Sequence, residues 1–205
     1  RESQLRDLAM KTPVFILGIG HRSGTNYLAH LLNLHPECTR LDTIGEDYLL
    51  APINLLDDYA ESTVGNWNPK WNTVDRKKLL KRCLGKGLVQ FLTENAEGPG
   101  KFVVTKTPSV RNLDYALQFI PNGRLIIIIR DGQALTASSL KSFGGSFGRI
   151  VYRWRVSAEK IEQFVGQHGE SGPRHTIVNY EELFTDTESV LERLLCWLGL
   201  PVEDY

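Results

Sequence analysis

The sequence predicts an α/β protein of three layers: a mainly parallel sheet flanked by helices on both faces. Short apolar, largely β-branched runs stand at Val14–Leu17, Phe102–Lys106 and Leu125–Ile129. Continuous apolar runs of that length fit strands buried on both faces. Helical patterns separate them, as strand–helix–strand units require. The first run also breaks into Gly18-Ile19-Gly20-His21-Arg22-Ser23-Gly24-Thr25, a glycine-containing turn that opens a helix.

The elements follow in order. Residues Glu2–Lys11 read as a short polar helix leading into the first strand. The helix after the turn runs over Gly24–Leu34, with Tyr27, Leu28, Leu31, Leu32 and Leu34 near one face. His35-Pro36 closes it, because a residue before proline avoids the helical region. Thr43–Asn72, broken by Gly45, Pro52, Gly65 and Pro69, reads as a short helix plus loop covering a site. Asp75–Thr93 reads as a helix whose basic face (Arg76, Lys77, Lys78, Lys81, Arg82) is a solvated surface. Val110–Ile120 is the helix between the second and third strands. Gly132–Lys141 is the next helix, and Gly144-Gly145-Ser146-Phe147-Gly148 a flexible break beside the site. Ile150–Val165 is a long helix and Thr176–Val178 a short strand. Thr187–Leu198 is the last helix, closed by Gly199 and Pro201.

With 205 residues, 41% of them hydrophobic, the chain can bury a core as one domain over 1–205. Its 24 Lys+Arg balance 24 Asp+Glu, so no global field draws it to nucleic acid or an acidic membrane. Any anion site must come from local clustering. The three cysteines, Cys38, Cys83 and Cys196, are far apart and odd in number. They form no metal framework and read as buried free thiols of a reducing compartment. No run reaches the length of a membrane span and no secretory apolar region is present, which points to the cytoplasm. The chain opens on Arg1 rather than Met, so the expectation is a domain trimmed at one or both ends. The sequence sets no oligomeric state.

The turn after the first strand has the build of an anion cradle. Glycines let the backbone approach a ligand, and the first amides of a helix have no internal partner. Those amides and the helix dipole favour negative charge. The turn is not a Walker loop: Thr25 follows Gly24 directly, and the fixed cation sits earlier, at Arg22. The rival reading is an ordinary strand–helix turn whose Ser23 caps the helix. In an open parallel sheet the ligand lies beyond the carboxyl ends of the strands. There the first strand leads to Arg22, the second carries Lys106 and the third ends at Arg130. Cations from all three, beside a glycine-rich loop, point to a polyanionic nucleotide.

Gly20-His21-Arg22-Ser23-Gly24-Thr25 resembles the 5′-phosphosulfate loop of sulfotransferases that use 3′-phosphoadenosine 5′-phosphosulfate (PAPS). Ile129-Arg130-Asp131-Gly132-Gln133-Ala134, followed by Ser138, resembles their 3′-phosphate motif. Thr105-Lys106-Thr107-Pro108 resembles an element of tyrosylprotein sulfotransferases. Asn179-Tyr180-Glu181-Glu182-Leu183, with the helix ending Leu198-Gly199-Leu200-Pro201, resembles the family's C-terminal part. The motifs stand in the family's order over most of Val14–Pro201. The resemblance implies a P-loop-like sulfotransferase fold, and transfer of a sulfuryl group from PAPS to an acceptor hydroxyl or amine by in-line displacement. The product would be 3′,5′-ADP, and no metal would be needed.

It also implies roles. Arg22, with Ser23, Gly24, Thr25 and Asn26, would hold the 5′-phosphosulfate end. Arg130 and Ser138 would clamp the 3′-phosphate, Tyr180 helping at the same end. Lys106, assisted by Arg22, would stabilise the charge that grows on the leaving oxygen. Glu46 is the first choice of general base and Asp47 the second, against the reading of that pair as a solvated surface or helix cap. Histidine after the second strand's lysine, as in small-molecule sulfotransferases, is replaced here by Pro108 and Ser109. His35 reads as structural. Trp67, Trp71 and Trp154 could wall an acceptor pocket, although such aromatics are more often core. The rival functions are a P-loop-type nucleotide kinase, which the missing Walker lysine argues against, and a non-catalytic nucleotide-binding module. The sequence leaves the acceptor open among glycan, tyrosine, lipid and small alcohol.

Overall fold

The computed structural model describes residues 10–41 and 44–204. The polar helix expected over Glu2–Lys11 therefore lies outside the described residues, apart from its last two positions. Five strands form one sheet: β1 (Thr12–Gly18), β2 (Cys38–Arg40), β3 (Phe102–Thr107), β4 (Arg124–Ile129) and β5 (His175–Asn179). Their order is β2-β3-β1-β4-β5, and every neighbouring pair is parallel. The described helices are α1 (Thr25–Leu32), α2 (Asn54–Gly65), α3 (Val74–Glu94), α4 (Leu113–Phe119), α5 (Gly132–Phe143), α6 (Phe147–His168), α7 (Tyr180–Thr185) and α8 (Thr187–Leu198).

Successive strand residues point to opposite faces. Along β1, Val14 and Ile16 pack with Leu28 and Leu32 of α1 and Leu194 of α8. Phe15 and Leu17 turn the other way, into a cluster with Leu92 of α3, Phe119 of α4 and Phe164 of α6. On β4, Ile126 and Ile127 divide between the same two clusters, and each is fully buried. Each face of the sheet thus has its own apolar layer, which is why the strand sequences are apolar throughout. Truncating either isoleucine to alanine should cost about 2–5 kcal/mol.

The topology also selects a place for a ligand. From β1 the chain leaves toward the β2 edge; from β4 it leaves toward β5. Neighbouring strands whose connections diverge leave a crevice beyond their carboxyl ends. The β1 turn with Arg22 and the β4 end with Arg130 lie at that crevice.

Several expectations change in detail. α1 buries Leu28, Ala29 and Leu32, whereas Tyr27 and Leu34 stay outside the core. Tyr27 instead reaches Thr187 Oγ1 at 3.1 Å. β2 was not expected; three residues are too few for a periodic signal. α4 starts at Leu113 rather than Val110, after a turn ending at Asn112 (φ 59°). That turn is held by Asn112 Nδ2, which donates to Ala51 O at 2.6 Å. Gly144 and Gly145, both at positive φ, separate α5 from α6, and α6 starts at Phe147. The basic face of α3 is partly paired: Lys77 meets Glu61 of α2 at 2.7 Å, and Lys81 meets Asp57 and Glu61. The cysteines are free, but only Cys38 is buried; Cys83 and Cys196 are exposed. Burial, with Glu37 adding a smaller push, raises the Cys38 thiol to about 12.

Candidate active site

The turn between β1 and α1 is built by close approach. A Cβ on Gly18 would stand 2.1 Å from Ser23 Oγ, so only glycine lets the loop fold back here. Ser23 is fully buried, and its hydroxyl donates to Gly20 O at 2.7 Å. It staples the loop and does not cap α1. The N-cap is Gly24 at φ 99°, which has no side chain to accept the first-turn amides. The helix therefore presents them outward, with Thr25 buried and Asn26 exposed at its start. The Tyr180 ring lies on the Gly24 backbone, where an added Cβ would come within 2.3 Å of it.

Arg22 holds a left-handed backbone (φ 71°), uncommon for a residue with a Cβ. Its Nε donates to Ser138 Oγ of α5 at 3.1 Å. The Arg130 guanidinium donates through Nη1 to Arg22 O and lies 4.1 Å over the Tyr180 ring. Arg130 Nε is buried without a hydrogen-bond partner. Trp154 Nε1 donates to Arg130 O at 3.1 Å, and Asp131 N donates to Glu181 Oε1 at 3.1 Å. Asp131 caps α5 through Ala134 N and so fixes the helix that carries Ser138. Arg22, Ser138, Arg130 and Tyr180 thus form one cluster over the β1–β4 crevice, although they come from four parts of the chain.

A second group lies at the end of β3, beside β1. Lys106 pairs in register with Ile16, and its ammonium donates to Gly45 O at 2.6 Å. It stands 3.9 Å from Glu46 Oε1. Glu46 Oε2 accepts from the Tyr48 hydroxyl at 2.9 Å. Burial pushes the Tyr48 phenol above its ordinary value, and the Glu46 contact adds to that. Asp47 is committed to the fold: Oδ2 accepts from Thr105 Oγ1 and Thr107 Oγ1 at 2.5 and 3.2 Å, and Oδ1 from Leu49 N at 2.7 Å. Burial raises its carboxyl above the ordinary value, while those hydrogen bonds pull it down. Among the described residues no hydrogen bond or ion pair joins Lys106 to the arginine cluster; the two groups share the sheet's rim.

Two clefts flank these groups. The larger, about 840 Å³, runs past Gly20, His21, Tyr48 and Pro108 to α5 and α6. The smaller, about 600 Å³, is lined by Asn26, Asn33, Arg40, Gly45 and Lys106. Of the tryptophans weighed as pocket walls, Trp154 lines the larger cleft; Trp67 and Trp71 line neither, and Trp71 is exposed. His35 is structural: it is buried, accepts from Glu37 N at 3.1 Å and lies 3.0 Å from Pro201 O. Among the described residues no cluster of His, Cys, Asp or Glu is arranged to hold a metal, and no helix is long and apolar enough to cross a membrane.

The sequence reading missed Tyr48, Trp154 as a partner of Arg130, and the structural duty of Asp47. Thr105 and Thr107 flank Lys106 with the strand's period of two, a pattern that places both hydroxyls on one face. That pattern was the available signal for the Asp47 anchor.

A parallel sheet that brings arginines and an uncapped helix to one rim is an arrangement that suits an anionic ligand beyond its strand ends. This chain belongs to the Sulfotransferase family, whose family model matches residues 13–204. Protein-tyrosine sulfotransferase A of Caenorhabditis elegans is 24% identical over 207 residues, covering 94% of this chain and 51% of the relative. Protein-tyrosine sulfotransferase 1 of Danio rerio is 23% identical over 201 residues, covering 94% and 54%. The chain thus spans about half the length of these curated relatives. Among solved structures, a sulfotransferase of Alicyclobacillus acidocaldarius superposes with a TM-score of 0.61 at 15% identity, covering 95% of this chain and 83% of that one. The sulfotransferase domain of a Synechococcus olefin synthase gives 0.60 at 20% identity, covering 98% and 78%. These superpositions carry the fold.

Proposed function

We propose that the chain transfers a sulfuryl group from PAPS to an acceptor hydroxyl. The observation that carries this is the contact cluster of Arg22, Ser138, Arg130 and Tyr180, set beside the uncapped first turn of α1. A ligand with anionic groups at both ends suits it. The buried, unpartnered Arg130 Nε leaves one donor for such a group, and the α1 amides leave several.

Arg22 and the backbone amides of Ser23, Gly24, Thr25 and Asn26 hold the 5′ end of the donor. Arg130 and Ser138 hold its 3′-phosphate, with Tyr180 keeping the Arg130 guanidinium flat against its ring. Charge-assisted hydrogen bonds of this kind contribute roughly 1.5–3 kcal/mol each. Bound there, the donor supplies an activated sulfuryl group whose transfer leaves negative charge on a phosphate oxygen. Lys106 meets that charge, as a positioned cation does in phosphoryl transfer. Glu46 takes the proton of the acceptor hydroxyl. Its Oε2 is engaged by Tyr48, so Oε1 is the atom left to act, with Lys106 at 3.9 Å. Asp47, with both oxygens engaged, holds the 45–48 loop against β3.

Calorimetric titration with 3′,5′-ADP and with 5′-AMP tests the clamp. The 3′-phosphorylated nucleotide should bind at least tenfold more tightly, and equal affinities would remove the 3′-phosphate role of Arg130 and Ser138. Radiolabelled sulfuryl transfer from PAPS to a panel of hydroxyl acceptors tests the activity. Tight 3′,5′-ADP binding with no transfer to any acceptor would leave a nucleotide-binding module.

A further inference from the structure

The proposed base already has a hydroxyl of the chain itself bonded to it. Tyr48 Oη donates to Glu46 Oε2 at 2.9 Å. No other tyrosine among the described residues donates to a carboxylate. The other oxygen of the same carboxylate, Oε1, stands 3.9 Å from Lys106 Nζ. A phenol, a base and the cation assigned to the leaving oxygen therefore form one line of contacts. Tyr48 is 39% exposed and lines the larger cleft together with Gly20 and His21 of the β1 turn. That turn is where the sulfuryl end of the donor is proposed to sit.

The backbone fixes this placement. Lys106 Nζ donates to Gly45 O at 2.6 Å, Asp47 N to Lys106 O at 3.3 Å, and Tyr48 N to Thr107 Oγ1 at 3.1 Å. These bonds strap the 45–48 loop to the strand that carries Lys106. Tyr48 also holds a left-handed backbone (φ 49°). A bulky residue adopts that conformation at a cost, and keeps it only where its surroundings impose it. Exposure does not single Tyr48 out, since Tyr59 and Tyr152 are more exposed, at 56% and 61%. Its carboxylate partner does. A hydroxyl held in this way needs no association step, and correct intramolecular placement stands in for a very high concentration of a free acceptor.

We infer that Tyr48 is a modification site of this chain: its phenol takes a sulfuryl group from the chain's own donor site, in an intramolecular transfer with Glu46 as base. This rests on the sulfuryl-transfer reading and adds an acceptor that the chain itself carries. The bond from Tyr48 Oη to sulfur forms as the bond from sulfur to the 5′-phosphate oxygen breaks. The phenol proton passes to Glu46 Oε2, which already accepts it in a hydrogen bond. The leaving oxygen keeps the electron pair, and Lys106 meets its charge. The products are a tyrosine O-sulfate on the chain and 3′,5′-ADP. The ester has no proton to give Glu46 and leaves a fixed negative charge in its place, so each chain is modified once.

The test needs no added acceptor. The chain is incubated with radiolabelled PAPS, digested, and its peptides are weighed by mass spectrometry. The Tyr48 peptide should gain the mass of one SO3, with the label levelling off at one per chain, while the peptides of Tyr59 and Tyr152 stay unchanged. An unmodified Tyr48, or label shared with Tyr59 and Tyr152, overturns the inference. The rate per molecule should survive a tenfold dilution of the protein; a rate that falls in proportion means transfer between copies and overturns the intramolecular step. Glu46→Gln should slow the modification at least tenfold, and a wild-type rate overturns the role of the carboxylate. A readout without turnover is the NMR signal of the Tyr48 phenol carbon, assigned by its loss in Tyr48→Phe. Saturation with 3′,5′-ADP should shift it, and an unmoved signal puts the phenol beyond the donor's reach and overturns the inference. A chain that binds no 3′,5′-ADP overturns the nucleotide reading itself. A chain that binds it and sulfates added hydroxyl acceptors, with Tyr48 unmodified, overturns this inference alone.

Discussion

Gly24 separates what a glycine does for a ligand from what it does for the protein. Replacing it with alanine places a Cβ on a residue at φ 99°, 2.3 and 2.6 Å from Tyr180 Cδ2 and Cε2. The backbone alone should cost about 1–2 kcal/mol, because an L side chain at positive φ crowds its own carbonyl. The ring must also retreat by roughly an ångström to restore ordinary van der Waals contact. That retreat removes the stack 4.1 Å beneath Arg130, a contribution of about 0.5–1 kcal/mol at a partly exposed site. Gly24→Ala should therefore lose about 1.5–3 kcal/mol, a fall in Tm of roughly 3–12 °C for a chain of this size. Gly20→Ala is the internal control. A Cβ there meets only Leu135 Cδ1 at 3.8 Å, so its stability should stay within about 0.5 kcal/mol of wild type. Differential scanning calorimetry reads both variants, and titration with 3′,5′-ADP reads the loop, where Gly24→Ala should weaken binding at least tenfold. The reasoning fails if Gly24→Ala melts with the wild type, or if Gly20→Ala falls as far.

Lys106→Ala should lower kcat by about 10²–10³, the usual loss for a donor aimed at developing charge, with 3′,5′-ADP affinity within threefold of wild type; undiminished turnover removes its role. Asp47 has a folded-state pKa above its unfolded 3.8, so the folded state takes up the proton first as pH falls. Its contribution to stability is therefore present at low pH and is lost as pH rises through the raised value. In urea denaturation, the stability difference between wild type and Asp47→Asn should move in favour of wild type as pH is lowered from 7 toward 4; movement the other way contradicts a desolvated carboxylate. On α3 two glycines predict opposite signs. Gly85→Ala would put a Cβ 1.8 Å from Phe119 O, against backbone that cannot swing aside, and should destabilise by more than its helix propensity returns. Gly87→Ala, with nothing within 4 Å, should stabilise by about 0.5–1 kcal/mol; a loss of stability there would be evidence of an unseen neighbour.

What was legible in the sequence was what lies close together in it. The βα turn, the apolar strands and the cations at the strand ends are each written in a few consecutive residues. A parallel sheet then carries those ends to one rim without further instruction. What was not legible depends on distant partners. Ser138 meets Arg22 across 116 positions. Asp47 meets Thr105 and Thr107 across 58 and 60, and this, not the local Glu46-Asp47 pattern, separates a free carboxylate from a structural one. Ser23 shows the same limit at short range. Its type and place suit a helix cap, but close approach at Gly18 buries it and turns its hydroxyl back to Gly20.

The arginine cluster works as a chain of supports. Trp154 donates to the carbonyl of Arg130, and the Tyr180 ring backs its guanidinium. Thus placed, Arg130 donates to the carbonyl of Arg22 and helps hold that residue in its left-handed conformation. The conformation turns the Arg22 side chain to Ser138. An anion arriving here meets side chains whose ordering entropy is already spent in folding, which is the condition for a few charged contacts to yield useful affinity. Positive side chains gathered at one rim repel, and an anion bound there as proposed would relieve that repulsion. A neutral chain can therefore hold a ligand of roughly four negative charges, because the relevant quantity is the local field at the rim and not the net charge of the molecule.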